Sequence, residues 1–188
     1  MVQSVSKPLT LAEFLKLPET KPPSEYAEGK VRQKPMPKTR HARLQRKLLY
    51  AINEVSEKSQ IAYAFPELRC TFGERSVIPD IAVLQWQNIE MDANGEPLDD
   101  VYRAPDWTIE ILSPDQSSNH VMGNILHCLK HGCTLGWLLD LRDRSILIFQ
   151  PQQQPELKLG EDNLTSLDSI PLNLTVNQVF GWLKMQEL

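Results

Sequence analysis

Apolar positions along the chain follow two periods, one helical and one extended. Leu44, Leu48, Ala51, Ile52 and Val55 recur at the spacing of a helix with one buried stripe, and Arg43, Arg46 and Lys47 take the opposite face. Thr39 is the expected N-cap of that helix. Val121, Met122, Ile125, Leu126 and Leu129 mark a second helix, stopped at His131-Gly132, where glycine accepts a left-handed C-cap. Two short helices are announced by capping boxes, Thr10-Leu-Ala-Glu13 ahead of Phe14 and Leu15, and Thr175-Val-Asn-Gln178 ahead of Val179, Phe180, Trp182 and Leu183. Extended, apolar runs predict strands at 30–34, 61–72, 77–84 and 106–113, and a hairpin of 135–141 with 145–150. Residues 18–24 read as loop, 26–29 as a turn, 86–104 as an exposed acidic excursion and 151–160 as a polar connector. No internal repeat is visible.

Two of the predicted strands carry a carboxylate inside an apolar run: Ile78-Pro79-Asp80-Ile81-Ala82-Val83 and Trp107-Thr108-Ile109-Glu110-Ile111-Leu112-Ser113-Pro114. An ionised carboxylate there is costly unless something pairs with it. Side chains alternate along a strand, so Glu110 shares a face with Thr108 and Leu112, and Asp80 with Ile78 and Ala82. If the strands are neighbours, both carboxylates converge at one sheet edge. A hard divalent cation such as Mg²⁺ needs only one or two carboxylates and could activate water against a phosphodiester. The alternative is structural: Asp80 paired with Arg69, and Glu110 capping the following turn. Glu67 is a third candidate ligand or the cross-strand partner of an arginine. His41 and Gln45, one helical turn apart, could face the same cleft, with His41 touching phosphate, shuttling a proton or merely capping.

Charge sharpens this picture. The 188-residue chain has a net charge of −4, yet residues 30–47 hold eight of its twenty Lys and Arg and no Asp or Glu. The rest carries 12 basic against 24 acidic residues. A basic segment on an acidic body could steer a polyanion, or it could be a solvated helix face. Cys70, Cys128 and Cys133 are odd in number and lack C-x-x-C spacing, which points to reduced, buried thiols. No apolar run is long enough for a membrane span, and the opening Met-Val-Gln-Ser-Val-Ser-Lys-Pro lacks a signal-like apolar stretch, so a cytoplasmic protein without membrane association is expected. The length fits one domain.

Glu25-Tyr26-x-Glu28-Gly29, His41 opening a helix, Pro79-Asp80, Glu110-Ile-Leu-Ser-Pro114, a helix ending at Gly132 and Trp137-Leu-Leu-Asp140 together resemble the Uma-two family, of cyanobacterial type, in the PD-(D/E)xK nuclease superfamily. The resemblance runs over nearly the whole chain. It implies an α/β (α+β) restriction-endonuclease-like fold, a mixed sheet flanked by helices, with a core at about 39–150, an N-terminal extension 1–38 and a C-terminal extension 151–188. It implies cleavage of DNA that depends on Mg²⁺, with Mn²⁺ as the alternative ion, and with Asp80, Glu110 and the backbone carbonyl of Leu112 as metal ligands and Glu67 assisting. Residues 34–47, including Lys34, Lys38, Arg40, His41 and Gln45, would engage phosphates, and a homodimer would give each strand of a duplex one site. One departure stands out. The superfamily lysine would fall at Leu112, and where relatives draw it from the following helix this chain offers His120 and Asn124. His120, Lys34 and Lys38 are the candidates to replace it. Without a replacement the chain would bind nucleic acid or a protein partner without cutting; a third possibility is a structural dimer with its carboxylates in salt bridges.

Overall fold

Two sheets and four α-helices organise the described residues of the computed structural model, which are 8–114 and 116–185. In chain order the elements are α1 (Leu11–Phe14), β1 (Ser24–Ala27), β2 (Lys30–Gln33), α2 (Thr39–Ser56), β3 (Ala62–Pro66), β4 (Cys70–Phe72), β5 (Arg75–Val77), β6 (Ile81–Gln85), β7 (Trp107–Leu112), α3 (Ser118–Lys130), β8 (Leu135–Asp140), β9 (Ser145–Phe149), β10 (Glu156–Lys158) and α4 (Val176–Gly181). The opening stretch read for a signal sequence lies mostly outside the described residues.

The larger sheet runs β10-β9-β8-β7-β6-β3 and the smaller β2-β1-β5-β4. Among the described strands only β7 and β8 pair in parallel, with α3 as the crossover between them. Alternation on β7 divides its residues between two layers. Trp107, Ile109 and Ile111 join the core beneath α2, where Leu44, Leu48 and Ile52 are wholly buried. Burial of each such aliphatic side chain contributes about 1.5–3 kcal/mol. Leu112 packs instead with Val121 and Ile125 of α3. That second face is the one Glu110 shares. Leu164, Leu167, Ile170, Val179 and Phe180 complete the α2-side core.

Both capping boxes form as the sequence predicts, at Thr10 and Thr175. Elsewhere the boundaries shift for local reasons. The run 61–72 breaks after β3 because Glu67 adopts φ 47°, a left-handed conformation that interrupts pairing; Glu67 is therefore a loop residue. The run 77–84 breaks at Pro79, which has no N–H for the ladder, so Asp80 lies one residue before β6 and not within a strand. Tyr26 belongs to β1: Glu28 and Gly29, with φ 53° and 77°, make the two-residue turn of a β1–β2 hairpin. Lys38, without a side-chain cap bond, is the N-cap of α2 in place of Thr39. The connector 151–160 includes β10, which adds an edge to β9. No helix among the described residues is long and apolar enough to cross a membrane.

Candidate active site

Four elements meet at Asp80. Pairing of β6 with β7, Ile81 opposite Ile109, brings the residue preceding β6 against the middle of β7. There the Ile111 N–H donates to Asp80 Oδ2 at 2.7 Å. From α2, His41 Nε2 lies 2.9 Å from the same oxygen, and Gln45 Nε2 donates to the Asp80 carbonyl at 2.8 Å. Lys34, one residue past β2, donates from Nζ to Asp80 Oδ1 at 2.7 Å and to the Ile78 carbonyl at 2.6 Å, and stands 3.7 Å from Glu110 Oε2. Glu25 on β1 completes the cluster. It accepts from the Ile78 N–H at 2.8 Å and from Asn124 Nδ2 at 3.0 Å, with His120 Nε2 at 3.5 Å.

Glu25, Asp80 and Glu110 are thus three buried carboxylates around one ammonium. Burial opposes the charge of Lys34, but Glu110, Asp80 and Glu25 outweigh it and hold the ammonium protonated well above the usual lysine range. Burial likewise disfavours the Asp80 anion, and Lys34 with His41 overcomes this to hold its carboxyl at about 2. Glu25 is lowered too: desolvation is outweighed by His120, Lys34 and the Ile78 N–H. Glu110 goes the other way. Burial, with Asp80 and Glu25 adding to it, pushes it well above the usual carboxylate range despite Lys34. It is the least compensated carboxylate of the three. A cavity of about 300 Å³ opens over Asp80, lined also by Lys34, His41, Glu67, Ser113 and Gln116.

The sequence model of the Uma2 family, described as putative restriction endonucleases, matches residues 11–178. The chain belongs to the Uma2 family. A crystal structure of a putative nuclease of the DUF820 group from Anabaena variabilis is 48% identical, with a TM-score of 0.92 over 94% of this chain and 100% of that one. No curated protein matches. The restriction-endonuclease-like fold expected from the sequence, a mixed sheet flanked by helices, is the one observed.

In this Uma2 chain the residues singled out from the sequence take unequal places. Asp80, Glu110, Lys34, His41 and Gln45 come together as described. Glu67 is exposed on the cavity rim, and its N–H donates to the Asp80 carbonyl at 3.2 Å. His120 reaches Glu25. Lys38 and Arg40 are exposed at the start of α2. The side chain of Leu112 packs beneath α3. Arg69 does not partner Asp80: it donates to the Ser24 carbonyl, Ser76 Oγ and Glu19. Two cluster members were missed as site residues, Glu25 and Asn124. The available signal was Glu25 beside Tyr26 in a short extended segment, a carboxylate of the same buried kind as Asp80.

Proposed function

We propose that this protein is a Mg²⁺- or Mn²⁺-dependent endonuclease that hydrolyses phosphodiester bonds in DNA, with Asp80 and Glu110 holding the metal and Lys34 as the active-site lysine. The observation that carries the reading is the Lys34 ammonium, 2.7 Å from Asp80 and 3.7 Å from Glu110. It supplies from β2 the cation that position 112 lacks.

The donor set fits a hard divalent ion. Carboxylate oxygens outnumber the ammonium that balances them, and Glu110 carries the excess. Among the described residues no group of three or more His, Cys, Asp or Glu forms a preformed cage. Mg²⁺ needs only one or two protein carboxylates and keeps its waters, and Asp80 and Glu110 would supply the two. Bound there, the ion would supply a Lewis acid and a water of lowered pKa.

The remaining roles belong to the protein. His41 and the Ile111 N–H fix the Asp80 carboxylate, and Gln45 fixes its backbone. Against burial, the carboxylates of Glu110, Asp80 and Glu25 favour the protonated form of Lys34, and as a cation it would stabilise developing negative charge on phosphorus oxygens. The basic segment 30–47, with Lys38 and Arg40 exposed, would hold the phosphate backbone.

A non-cleaving binding protein is the second reading. It is favoured by the double hold of Asp80 Oδ1 and the Ile78 carbonyl on Lys34, which places an ammonium where a cation would lie. Calorimetric titration of Mg²⁺ and Mn²⁺, with plasmid nicking on the same samples, separates the two. Wild type binding metal and nicking DNA, with both lost in Asp80→Asn and Glu110→Gln, is the expected result. Metal binding without nicking selects the binding protein. Nicking that survives both substitutions overturns the assignment.

A further inference from the structure

The lining of the cavity over Asp80 mixes two chemistries: Lys34, His41, Glu67 and Asp80 are polar or charged, and Pro22, Pro23, Pro35, Met36 and Pro37 are apolar. Its volume, about 300 Å³, is at the lower bound for small-ligand pockets, the scale of one nucleotide rather than a base pair. Fully paired DNA keeps its bases stacked inside and offers a protein charged backbone and sugar at the scissile phosphate. A wall of proline rings and a thioether gains little from those groups. A base swung out of the stack offers a flat apolar face that the wall can cover. Proline rings have almost no side-chain freedom to lose on contact, and Met36, 67% exposed, has a flexible and polarisable side chain to give.

Polar features of the cavity agree with the same occupant. His41 lines the cavity, and its ring nitrogen Nδ1 is buried without a hydrogen-bond partner among the described residues, a polar atom that a nucleotide could satisfy. Lys21 also lines the cavity, and the approach along 30–47 carries only positive formal charge. We infer that the substrate is DNA with at least one unpaired nucleotide, its base against the Pro22, Pro23, Pro35, Met36 and Pro37 wall and its phosphate toward Lys34. This rests on the nuclease reading of the same site.

The test measures binding by fluorescence anisotropy with the full chain in chelator, at one fixed salt concentration. The probes are a labelled single strand, a fully paired hairpin, and that hairpin with a short unpaired bulge. Wild type should bind the single strand and the bulged hairpin about tenfold or more tighter than the paired one, the scale of one stacked base. Met36→Glu should bring that preference below about threefold while calorimetry finds its metal binding unchanged. Equal or tighter binding of the paired hairpin, no binding of any probe, or a preference unaltered in Met36→Glu would overturn the inference. Cleavage in Mn²⁺ is scored separately. Preference for unpaired DNA without metal-dependent cutting sinks the nuclease reading alone, and cutting without preference sinks this one alone.

Discussion

Lys34 Nζ lies 2.7 Å from Asp80 Oδ1 across 46 residues of sequence. The small sheet makes this contact. The β1–β2 hairpin places Lys34 at the end of β2, and β1 pairs with β5, which leads directly into Ile78 and Asp80. Ile78 is held from both sides, its N–H by Glu25 and its carbonyl by Lys34. The site is assembled across the junction of the two sheets.

Removing the ammonium should therefore affect both stability and chemistry. Loss of one member of a buried ion pair leaves uncompensated charge and costs about 3–5 kcal/mol. Lys34→Met is expected to lose stability on that scale in chelator, as read by urea unfolding, and to regain part of it when Mn²⁺ is added. Nicking should fall about 10²–10³-fold, the effect of deleting one group that stabilises transition-state charge. Asn124 already reaches Glu25 at 3.0 Å, so Asn124→Lys in the Lys34→Met background should restore about tenfold of the nicking rate. Wild-type nicking by Lys34→Met would remove the lysine from the mechanism.

Gly136 sets how closely α3 approaches the sheet. A Cβ there would stand 2.4 Å from Ile125 Cγ2. Gly136→Ala should cost about 1–3 kcal/mol by overpacking, and the cost should shrink in an Ile125→Ala background, where the opposing methyl is gone. Urea midpoints of the four proteins measure the coupling. Additive losses would show that the contact relaxes elsewhere.

His127 gives the fold a sensitivity to mild acid. Its ring stacks on Phe72 at 5.0 Å, and Nε2 lies 3.2 Å from the Phe72 carbonyl. Burial first, and then the positive charges of Arg75, His131 and Lys130, pull its pKa down to about 4 against the hydrogen bond that raises it. The folded value is below the unfolded one, so the unfolded chain takes up the proton first as pH falls. This contribution is complete above about pH 6.5 and is lost progressively as pH drops toward about 4. Urea midpoints at about pH 7.5 and 5 should fall further for wild type than for His127→Gln. An equal fall in both would place the acid sensitivity elsewhere.

Cys70, Cys128 and Cys133 pack with Val77 and Ala82. Burial first pushes the Cys70 and Cys133 thiols up to about 12, and pushes Cys128 well above its ordinary value. Thiolate is the reactive form, so a disulfide reagent should find none of the three in the native protein and all three in urea. A thiol that reacts rapidly under native conditions would contradict this packing.

The helices and their capping boxes were legible in the sequence because their causes are local, while the N-cap of α2 fell at Lys38 rather than Thr39. The apolar stripe of α2 and the Thr10 and Thr175 capping boxes depend on residues within a few positions of one another. Asp80 and Glu110 stood out for a related reason, as carboxylates embedded in apolar runs. Tertiary structure alone decided what compensates them. Lys34 was one of three candidates for the missing lysine, with His120 and Lys38, and Glu25 stood only in the motif beside Tyr26, with no role of its own. Their roles come from contacts spanning 46 residues to Asp80 and 99 from Asn124 to Glu25. Periodicity is imposed by the covalent geometry of neighbouring residues, whereas a buried charge is balanced by whichever opposite charge the packed sheets bring within a few ångströms.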